Sequence, residues 1–233
     1  MSKIAMVTGA GTGVGRRVSE VLSKEGIFVY LIGRRKEKLV ETQKMCSGHT
    51  KILQCDVSDP LAVENAFKIL ETNHGRIDVL FNNAGIGVPP QSIDEMPFEN
   101  WKSVVDINLN GMFLCAKYAF ALMRKQSPQG GRIINNGSVS SVTPRPGSIP
   151  YTATKHAVTG ITKTISLDGR KYDIACSQID IGNAETPMTE NMTKGIIQAS
   201  GSTEKEPVFD PIFVAEAVVN IFKLPLNTNI LNM

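Results

Sequence analysis

Residues 4–24 read IAMVTGAGTGVGRRVSEVLSK. This stretch begins with a short apolar run from Ile4 to Thr8 and passes through a glycine-rich turn. It then continues with apolar residues at the spacing of one helix face, from Val14 to Leu22. A strand, a tight turn and a helix in this order predict the first unit of a βαβ fold.

The same alternation continues along the chain. Further apolar runs predict strands over residues 28–32, 52–54, 79–82, 133–135 and 174–179, and segments of helical period separate them, such as 60–73 with a proline in its first turn. This pattern predicts an α/β fold, a doubly wound parallel sheet with helices on both faces. The chain shows no internal repeat or linker, so we expect one domain over residues 1–233.

Composition excludes several classes of protein. With 233 residues, 42% of them hydrophobic and 20% charged, the chain is neither disordered nor fibrous, and its net charge of +3 is too small to indicate nucleic-acid binding. No apolar run approaches the roughly 18 residues of a membrane span, and the apolar start is too short for a secretory signal. We therefore expect a cytoplasmic protein with neither nucleic-acid nor membrane partners.

The four cysteines lie far apart, with no CxxC pair and no histidine at metal-ligand spacing. We expect buried or half-buried free thiols and no metal site.

The glycine-rich turn suits a phosphate group. Glycine lets backbone N–H groups approach an anion, and the following helix N-terminus adds partial positive charge. Because the turn lies between a predicted strand and a predicted helix, dinucleotide binding is favoured over an ordinary glycine-rich turn.

The end of the second strand distinguishes the two nicotinamide cofactors. Sites for NAD usually place a carboxylate there, whereas this chain has Arg34 and Arg35 after Gly33. Two guanidinium groups suit a ribose phosphate, so NADP(H) is preferred over NAD(H). The alternative is that both arginines simply solvate the next helix. Asp56, after the third strand, either receives the adenine amino group or caps the turn before Pro60.

Tyr151 and Lys155 lie four positions apart at the start of a predicted helix that runs towards Leu167, so they share one helix face. An ammonium group near a phenol stabilises the phenolate, which suits the tyrosine to general acid or base work. Ser138 follows the fifth predicted strand, thirteen residues before Tyr151. Taken alone, a tyrosine four residues before a lysine is more often structural than catalytic.

Six groups of residues together resemble the short-chain dehydrogenase/reductase family, in the family's order and over nearly the whole chain. They are Thr8-Gly9-xxx-Gly13-x-Gly15, Asp56-Val57, Asn82-Asn83-Ala84-Gly85, Asn108 within 106–111, Ser138, and Tyr151-xxx-Lys155. The resemblance implies a Rossmann-like fold and an oxidoreductase that acts on a small-molecule carbonyl or secondary alcohol with NADP(H). It also implies a homodimer or homotetramer, built on the long helices 108–123 and 151–167.

The resemblance assigns roles to four catalytic residues. Tyr151 would give or take the proton, Lys155 would assist it and hold the nicotinamide ribose, Ser138 would bind the substrate oxygen, and Asn108 would position a water for proton relay. These roles agree with the residue chemistry, because hydride transfer leaves a developing oxyanion that needs donors and one proton. The expected cofactor-binding residues are Gly9, Gly11, Thr12, Gly13, Val14, Gly15, Arg34, Arg35, Asp56, Val57, Asn83, Ala84, Gly85, Tyr151, Lys155, Gly182, Ala184 and Thr186.

The sequence departs from the family pattern after the sixth strand, where Ile181-Gly182 replaces the usual Pro-Gly. Thr186 keeps its place as a possible nicotinamide contact. Residues 187–207 occupy the position of the substrate lid and have the polar composition of a mobile loop. The family ends on a seventh strand, which would only begin at Leu231.

Two other functions fit the fold. A catalytically idle dinucleotide-binding sensor would keep it, but the intact catalytic set argues against that reading. An epimerase or dehydratase of the extended relatives would need a larger C-terminal substrate domain. The predicted pocket segments, 86–93, 139–150 and 187–201, leave the substrate's identity open.

Overall fold

The computed structural model describes residues 2–233 and contains a six-stranded parallel sheet. Its strands lie in the order β3-β2-β1-β4-β5-β6. They are β1 (Ile4–Thr8), β2 (Phe28–Gly33), β3 (Thr50–Gln54), β4 (Val79–Asn82), β5 (Gly131–Asn136) and β6 (Ile174–Ile179). All six predicted strands are confirmed, as is the doubly wound fold. The strand order reverses between β1 and β4, and ligands bind at such a switch point.

Helices cover both faces of the sheet. They are α1 (Gly13–Lys24), α2 (Lys36–Met45), α3 (Pro60–His74), α4 (Phe98–Val105), α5 (Met112–Lys125), α6 (Ile149–Gly169) and α7 (Ile212–Lys223). Because side chains alternate along a strand, successive residues of β1 point to opposite faces of the sheet and pack into two different hydrophobic cores. Met6 packs with Phe67 of α3 and Ala119 of α5, whereas Val7 packs on the other face with Val18 of α1 and Val218 of α7.

Local sequence explains where these elements begin and end. Strand β1 is buried along its whole length. This agrees with its continuous apolar run, which is typical of a central parallel strand that helices cover on both faces. Helix α3 starts at Pro60, after Asp59 Oδ1 accepts hydrogen bonds from the Leu61 and Ala62 amides at 2.9 and 3.3 Å. It stops at Gly75, whose φ of 65° is left-handed.

The structure differs from the sequence expectation in two segments. The predicted helix from Asn108 begins inside a π-helical turn, Asp106–Gly111, which joins α4 to α5. The segment expected as an irregular lid contains a short antiparallel hairpin, β7 (Ile196–Ile197) and β8 (Thr203–Glu204). At the C-terminal end, Asn232 forms a parallel bridge to Gln178 of β6, where the family's seventh strand was expected.

Among residues 2–233, none of the helices combines the length and the apolar character that crossing a bilayer requires.

Candidate active site

Three polar side chains join the carboxyl ends of β1, β4 and β5. Thr8 is buried, and its Oγ1 accepts hydrogen bonds from the Asn83 and Ala84 amides at 2.8 and 2.9 Å. Asn83 Nδ2 donates to the Thr8 carbonyl at 2.9 Å, and Asn83 Oδ1 accepts from Asn136 Nδ2 at 2.8 Å. This chain of bonds fixes the three strand ends relative to one another, so Asn83 has a structural role in addition to any ligand contact.

Glycine is required at two kinds of position in the turn after β1. Gly9 and Gly13 have φ values of 66° and 54°, in the left-handed region that glycine tolerates best. At Gly15 the constraint is space, because an added Cβ would lie 2.3 Å from the Gly9 carbonyl oxygen and 2.6 Å from Asn83 Nδ2. Gly15 therefore lets α1 pack against the turn.

A cavity of about 270 Å³ extends from the glycine turn along the carboxyl ends of the strands. Fifteen of the eighteen expected cofactor-binding residues line it, namely Gly9, Gly11, Thr12, Gly13, Val14, Arg34, Arg35, Asp56, Val57, Asn83, Ala84, Gly85, Tyr151, Lys155 and Thr186. The other three lie elsewhere. Gly15 packs behind the turn, whereas Gly182 and Ala184 line a second cavity.

Positive charge lies at the far end of this first cavity. Arg34 and Arg35 line it together with Lys38. Lys38 Nζ is paired with Glu41 at 2.7 Å, whereas the Arg34 side chain is 57% exposed and lies 3.8 Å from Asp56 Oδ2. Since Glu41 partly offsets the charge of Lys38, the two arginines are the groups best placed to meet an anion.

Asp56 takes the turn-capping role that the sequence left open. Its Oδ1 accepts hydrogen bonds from the Ser58 amide at 3.0 Å and the Ser58 hydroxyl at 2.7 Å. The carboxylate nevertheless lines the first cavity, beside Val57.

Tyr151 and Lys155 lie on the first turns of α6 and both line the first cavity. Lys155 is 4% exposed, its Nζ lies 5.5 Å from the centre of the Tyr151 ring, and it donates to the Asn136 carbonyl at 2.7 Å. The Asn136 carbonyl thus holds the ammonium group beside the phenol. An ammonium group has three donors, so two remain for other partners.

Asn108 is buried in the π-helical turn and holds the loop that follows β4. Its Oδ1 accepts from the Ile86 amide at 2.8 Å, and its Nδ2 donates to the Ile86 carbonyl at 2.9 Å. Both polar atoms of the Asn108 side chain are therefore hydrogen-bonded to the backbone of Ile86. Turns of this kind occur frequently at functional sites.

Sequence reasoning missed Asp180, which anchors the loop that carries Ser138. Its Oδ1 accepts from the Ser138 amide at 2.9 Å, the Ser141 hydroxyl at 2.5 Å and Gln178 Nε2 at 2.8 Å, and its Oδ2 accepts from Asn232 Nδ2 at 2.9 Å. Burial alone would raise the pKa of Asp180, but these bonds hold it below its usual value. The one signal in the sequence was a carboxylate directly after a buried strand.

Gly137 leaves room for this carboxylate, because a Cβ there would meet Asp180 Oδ1 at 2.1 Å. Ser138 itself is buried, and its Oγ accepts from the Ser140 amide at 3.1 Å, which leaves the hydroxyl hydrogen free to donate.

The second cavity, of about 260 Å³, adjoins the first. Ser138 lines it, with apolar side chains such as Val139, Pro150, Met188 and Met192. Val14, Asn136, Tyr151, Thr186 and Met188 line both cavities. Tyr151 therefore lies where a molecule in one cavity would meet a molecule in the other.

The cysteines are confirmed as free thiols, three of them buried and Cys46 half-buried. Cys55 lines the first cavity, and burial, reinforced by the charge of Asp56, raises the pKa of its thiol to about 11. A thiol with this pKa is protonated near neutral pH, and the thiolate is the nucleophilic form. Within residues 2–233, no group of three or more histidine, cysteine and acidic side chains could hold a metal ion.

Comparison with known proteins decides the family. A family model described as short chain dehydrogenase matches residues 3–196. The chain belongs to the short-chain dehydrogenase family. This short-chain dehydrogenase is therefore an oxidoreductase, as the resemblance implied.

Two relatives of this dehydrogenase show the range of the similarity. A 3β-hydroxysteroid dehydrogenase of Mediterraneibacter gnavus is 36% identical over 197 residues, which cover 83% of this chain and 70% of that protein. An uncharacterized oxidoreductase of Staphylococcus aureus is 31% identical over 229 residues, 98% of this chain and 94% of the relative.

Solved structures have the same fold. The closed form of serine dehydrogenase complexed with NADP⁺ matches with a TM-score of 0.86 and 28% identity, over 99% of this chain and 94% of that one. A 3-ketoacyl-(acyl-carrier-protein) reductase of Brucella melitensis complexed with NADH has a TM-score of 0.84 and 23% identity, over 99% and 96%. At that identity the second similarity shows the fold alone.

Proposed function

We propose that this short-chain dehydrogenase transfers a hydride between NADP(H) and a carbonyl or secondary alcohol, with Tyr151 as the general acid or base. The observation that carries the proposal is the position of Tyr151, which lines both the glycine-turn cavity and the Ser138 cavity while Lys155 lies beside it. A phenol so placed reaches both a cofactor and a substrate.

The first cavity fits a nicotinamide dinucleotide. Gly9, directly after β1, and Gly13, the first residue of α1, both adopt left-handed backbone. An added Cβ on Gly13 would lie 3.0 Å from the Thr186 side chain, so a larger residue there would crowd the turn. Backbone amides at a helix N-terminus favour a pyrophosphate. When bound there, NADP(H) supplies or accepts the hydride.

The residues of the chain supply the proton and hold the substrate oxygen. During reduction the Tyr151 hydroxyl gives its proton to the carbonyl oxygen, and in the reverse direction the phenolate takes it back. The Ser138 hydroxyl donates a hydrogen bond to the same oxygen as negative charge develops on it. Each reduction thus adds one hydride and one proton to the C=O bond.

Lys155 and Asn108 act around this centre. The Lys155 ammonium, held by the Asn136 carbonyl, stabilises the phenolate electrostatically and has donors left for ribose hydroxyls. Because the Asn108 side chain is bonded to Ile86, its main-chain carbonyl is the atom through which Asn108 would hold a relay water.

The preference for NADP(H) rests on Arg34 and Arg35. Both follow β2, where a carboxylate would favour the unphosphorylated ribose, and both line the first cavity. Their planar donors suit a 2′-phosphate, and the 3.8 Å separation of Arg34 from Asp56 leaves that guanidinium loosely paired.

We further propose a homodimer or homotetramer, as the family resemblance implies. Exposed apolar side chains support it, since Phe113 of α5 and Leu167 of α6 are 54% and 60% exposed. Within this proposal the protein is cytoplasmic and acts on small molecules.

The experiment is cofactor oxidation with a panel of ketones and diketones, followed through the absorbance of the reduced nicotinamide. We expect turnover by the wild type and a loss of at least a hundredfold in Tyr151→Phe, since general acid catalysis contributes about 10²–10⁴. If both proteins bind NADPH tightly yet are equally inert, the chain is instead a catalytically idle sensor.

A further inference from the structure

Arg145, in the wall of the second cavity, forms an ion pair with Glu206 that joins two distant segments of the chain. Arg145 Nη1 donates to Glu206 Oε1 at 2.9 Å and Arg145 Nη2 donates to Glu206 Oε2 at 2.6 Å, a bidentate pair. Arg145 lies between Ser138 and Tyr151, and Glu206 belongs to the lid segment. We call these two residues the Arg145–Glu206 pair.

Two amides complete the surroundings of the pair. Asn183, from the turn after β6, accepts from Arg145 Nη2 at 3.1 Å and donates to Glu206 Oε2 at 2.7 Å. Gln198, in the lid, donates to Glu206 Oε1 at 3.3 Å. Burial alone would raise the pKa of Glu206, but these partners hold it below its usual value, so the carboxylate is charged near neutral pH.

Arg145 is the one charged side chain among the described residues that line the second cavity. The Arg145 and Glu206 side chains are 28% and 23% exposed, so water screens the pair only partly. The two parallel donors that a guanidinium offers to a carboxylate already point at Glu206. The cavity consequently has mostly apolar walls, hydroxyl donors at Ser138 and Tyr151, and no unpaired charge.

We infer that the Arg145–Glu206 pair makes this pocket select uncharged ketones and alcohols over those that carry a carboxylate, with Glu206 as the specificity-determining residue. A carboxylate in the pocket would find the matching donors of Arg145 occupied by Glu206, gain no net attraction from the neutralised pair, and lose solvation against the apolar walls. The inference rests on the proposed function, since it concerns the substrate of that site.

The variant that tests it is Glu206→Gln. Glutamine keeps the length of the side chain and one acceptor oxygen, but removes the charge, so Arg145 becomes free to pair with an incoming anion. The matched control is Glu204→Gln on the exposed hairpin, where the Glu204 carboxylate accepts a hydrogen bond from the Ser202 hydroxyl at 3.1 Å.

The probes are oxo-carboxylic acids of increasing chain length and their methyl esters, so that each pair differs in charge at nearly constant shape. In the wild type we expect every accepted ester to exceed its acid at least tenfold in kcat/KM. In Glu206→Gln the acid-to-ester ratio should rise at least tenfold, while Glu204→Gln keeps the wild-type ratio. Calorimetric titration of the corresponding hydroxy acids and hydroxy esters into NADP⁺-loaded protein should show the same preference. The wild type should bind the esters more tightly, and Glu206→Gln should lower the Kd of the acids relative to that of the esters.

A wild type that prefers the acids overturns the inference, as does a Glu206→Gln protein that turns over the esters with an unchanged ratio. If Glu206→Gln does not fold, Arg145→Gln replaces it, and the acids should then remain excluded while ester turnover persists; a gain for the acids there would refute the inference. Failure of the proposed function looks different, because then no ketone of either charge is reduced.

Discussion

Asp180 gives the sharpest stability prediction. Replacing it with alanine leaves the Ser138 amide, the Ser141 hydroxyl and Gln178 Nε2 without their common acceptor. Leaving a buried polar group without its partner costs about 1–3 kcal/mol, and because this site is half-buried we take about 1 kcal/mol for each of the three bonds. Asp180→Ala should therefore lower the free energy of unfolding by about 3 kcal/mol. Asp180→Asn keeps an acceptor oxygen and loses only the charge, so about half that cost is expected.

Thermal unfolding measures the difference. For a domain of this size about 1 kcal/mol shifts Tm by roughly 2–4 °C, so Asp180→Ala should lower Tm by about 6–12 °C and Asp180→Asn by about 3–6 °C. The matched control is Asp168→Ala on the exposed face of α6, which should shift Tm by no more than about 2 °C. Because Ser138 loses its anchor, kcat should also fall in Asp180→Ala while the Kd for NADP⁺ stays unchanged.

The pH dependence gives a second readout of the same carboxylate. The folded protein holds the pKa of Asp180 below its ordinary value of about 3.9, so its contribution is fully present above that pH and is lost as the pH falls through the folded value. The Tm gap between wild type and Asp180→Ala should be constant from pH 6 to pH 8 and should narrow in acid. A Tm gap below about 2 °C at pH 7, or one that persists unchanged in acid, would show that the Asp180 carboxylate does not anchor the Ser138 loop.

The remaining predictions concern the cofactor site and assembly. Arg34→Asp should weaken NADPH binding at least tenfold more than NADH binding, measured as Kd by fluorescence titration; equal losses would show that Arg34 does not hold the phosphate. Gly15→Ala should abolish tight NADP⁺ binding, since its Cβ would lie 2.3 Å from the Gly9 carbonyl oxygen, whereas Gly87→Ala, with nothing within 4 Å, should keep the wild-type Kd. Sedimentation equilibrium should give a dimer or tetramer mass, and a mass near the 25.3 kDa of one chain would refute the assembly.

Much of the fold could be predicted because its signals are local. Each predicted strand is a short apolar run, and the structure extends such runs by at most two residues at either end, as in β5 (Gly131–Asn136) against the expected 133–135. The glycine turn and the Tyr151–Lys155 spacing are equally local, since a few consecutive residues determine them. Helix α4 and the π-helical turn escaped prediction because sequence period alone does not show how two helices join.

The rest of the site depends on contacts between distant residues. Asp180 reaches the Ser138 amide across 42 positions, and Glu206 meets Arg145 across 61. In the sequence these carboxylates look like ordinary charged residues of a strand end and a polar loop. Their partners become identifiable only when β5 and β6 are paired and the lid lies over the second cavity.

Isotope transfer tests hydride transfer and the role of Tyr151 in one measurement. NADPH deuterated at C4 of the nicotinamide, prepared in both diastereomers, is incubated with the protein and a ketone that it reduces, and the alcohol is analysed by mass spectrometry. We expect one diastereomer to deliver its deuterium to the wild-type product, and we expect Tyr151→Phe, although it still binds NADPH, to form almost none of that product. Equal label transfer by wild type and Tyr151→Phe would contradict the role of Tyr151, and tight NADPH binding without label transfer from either protein would contradict the reaction itself.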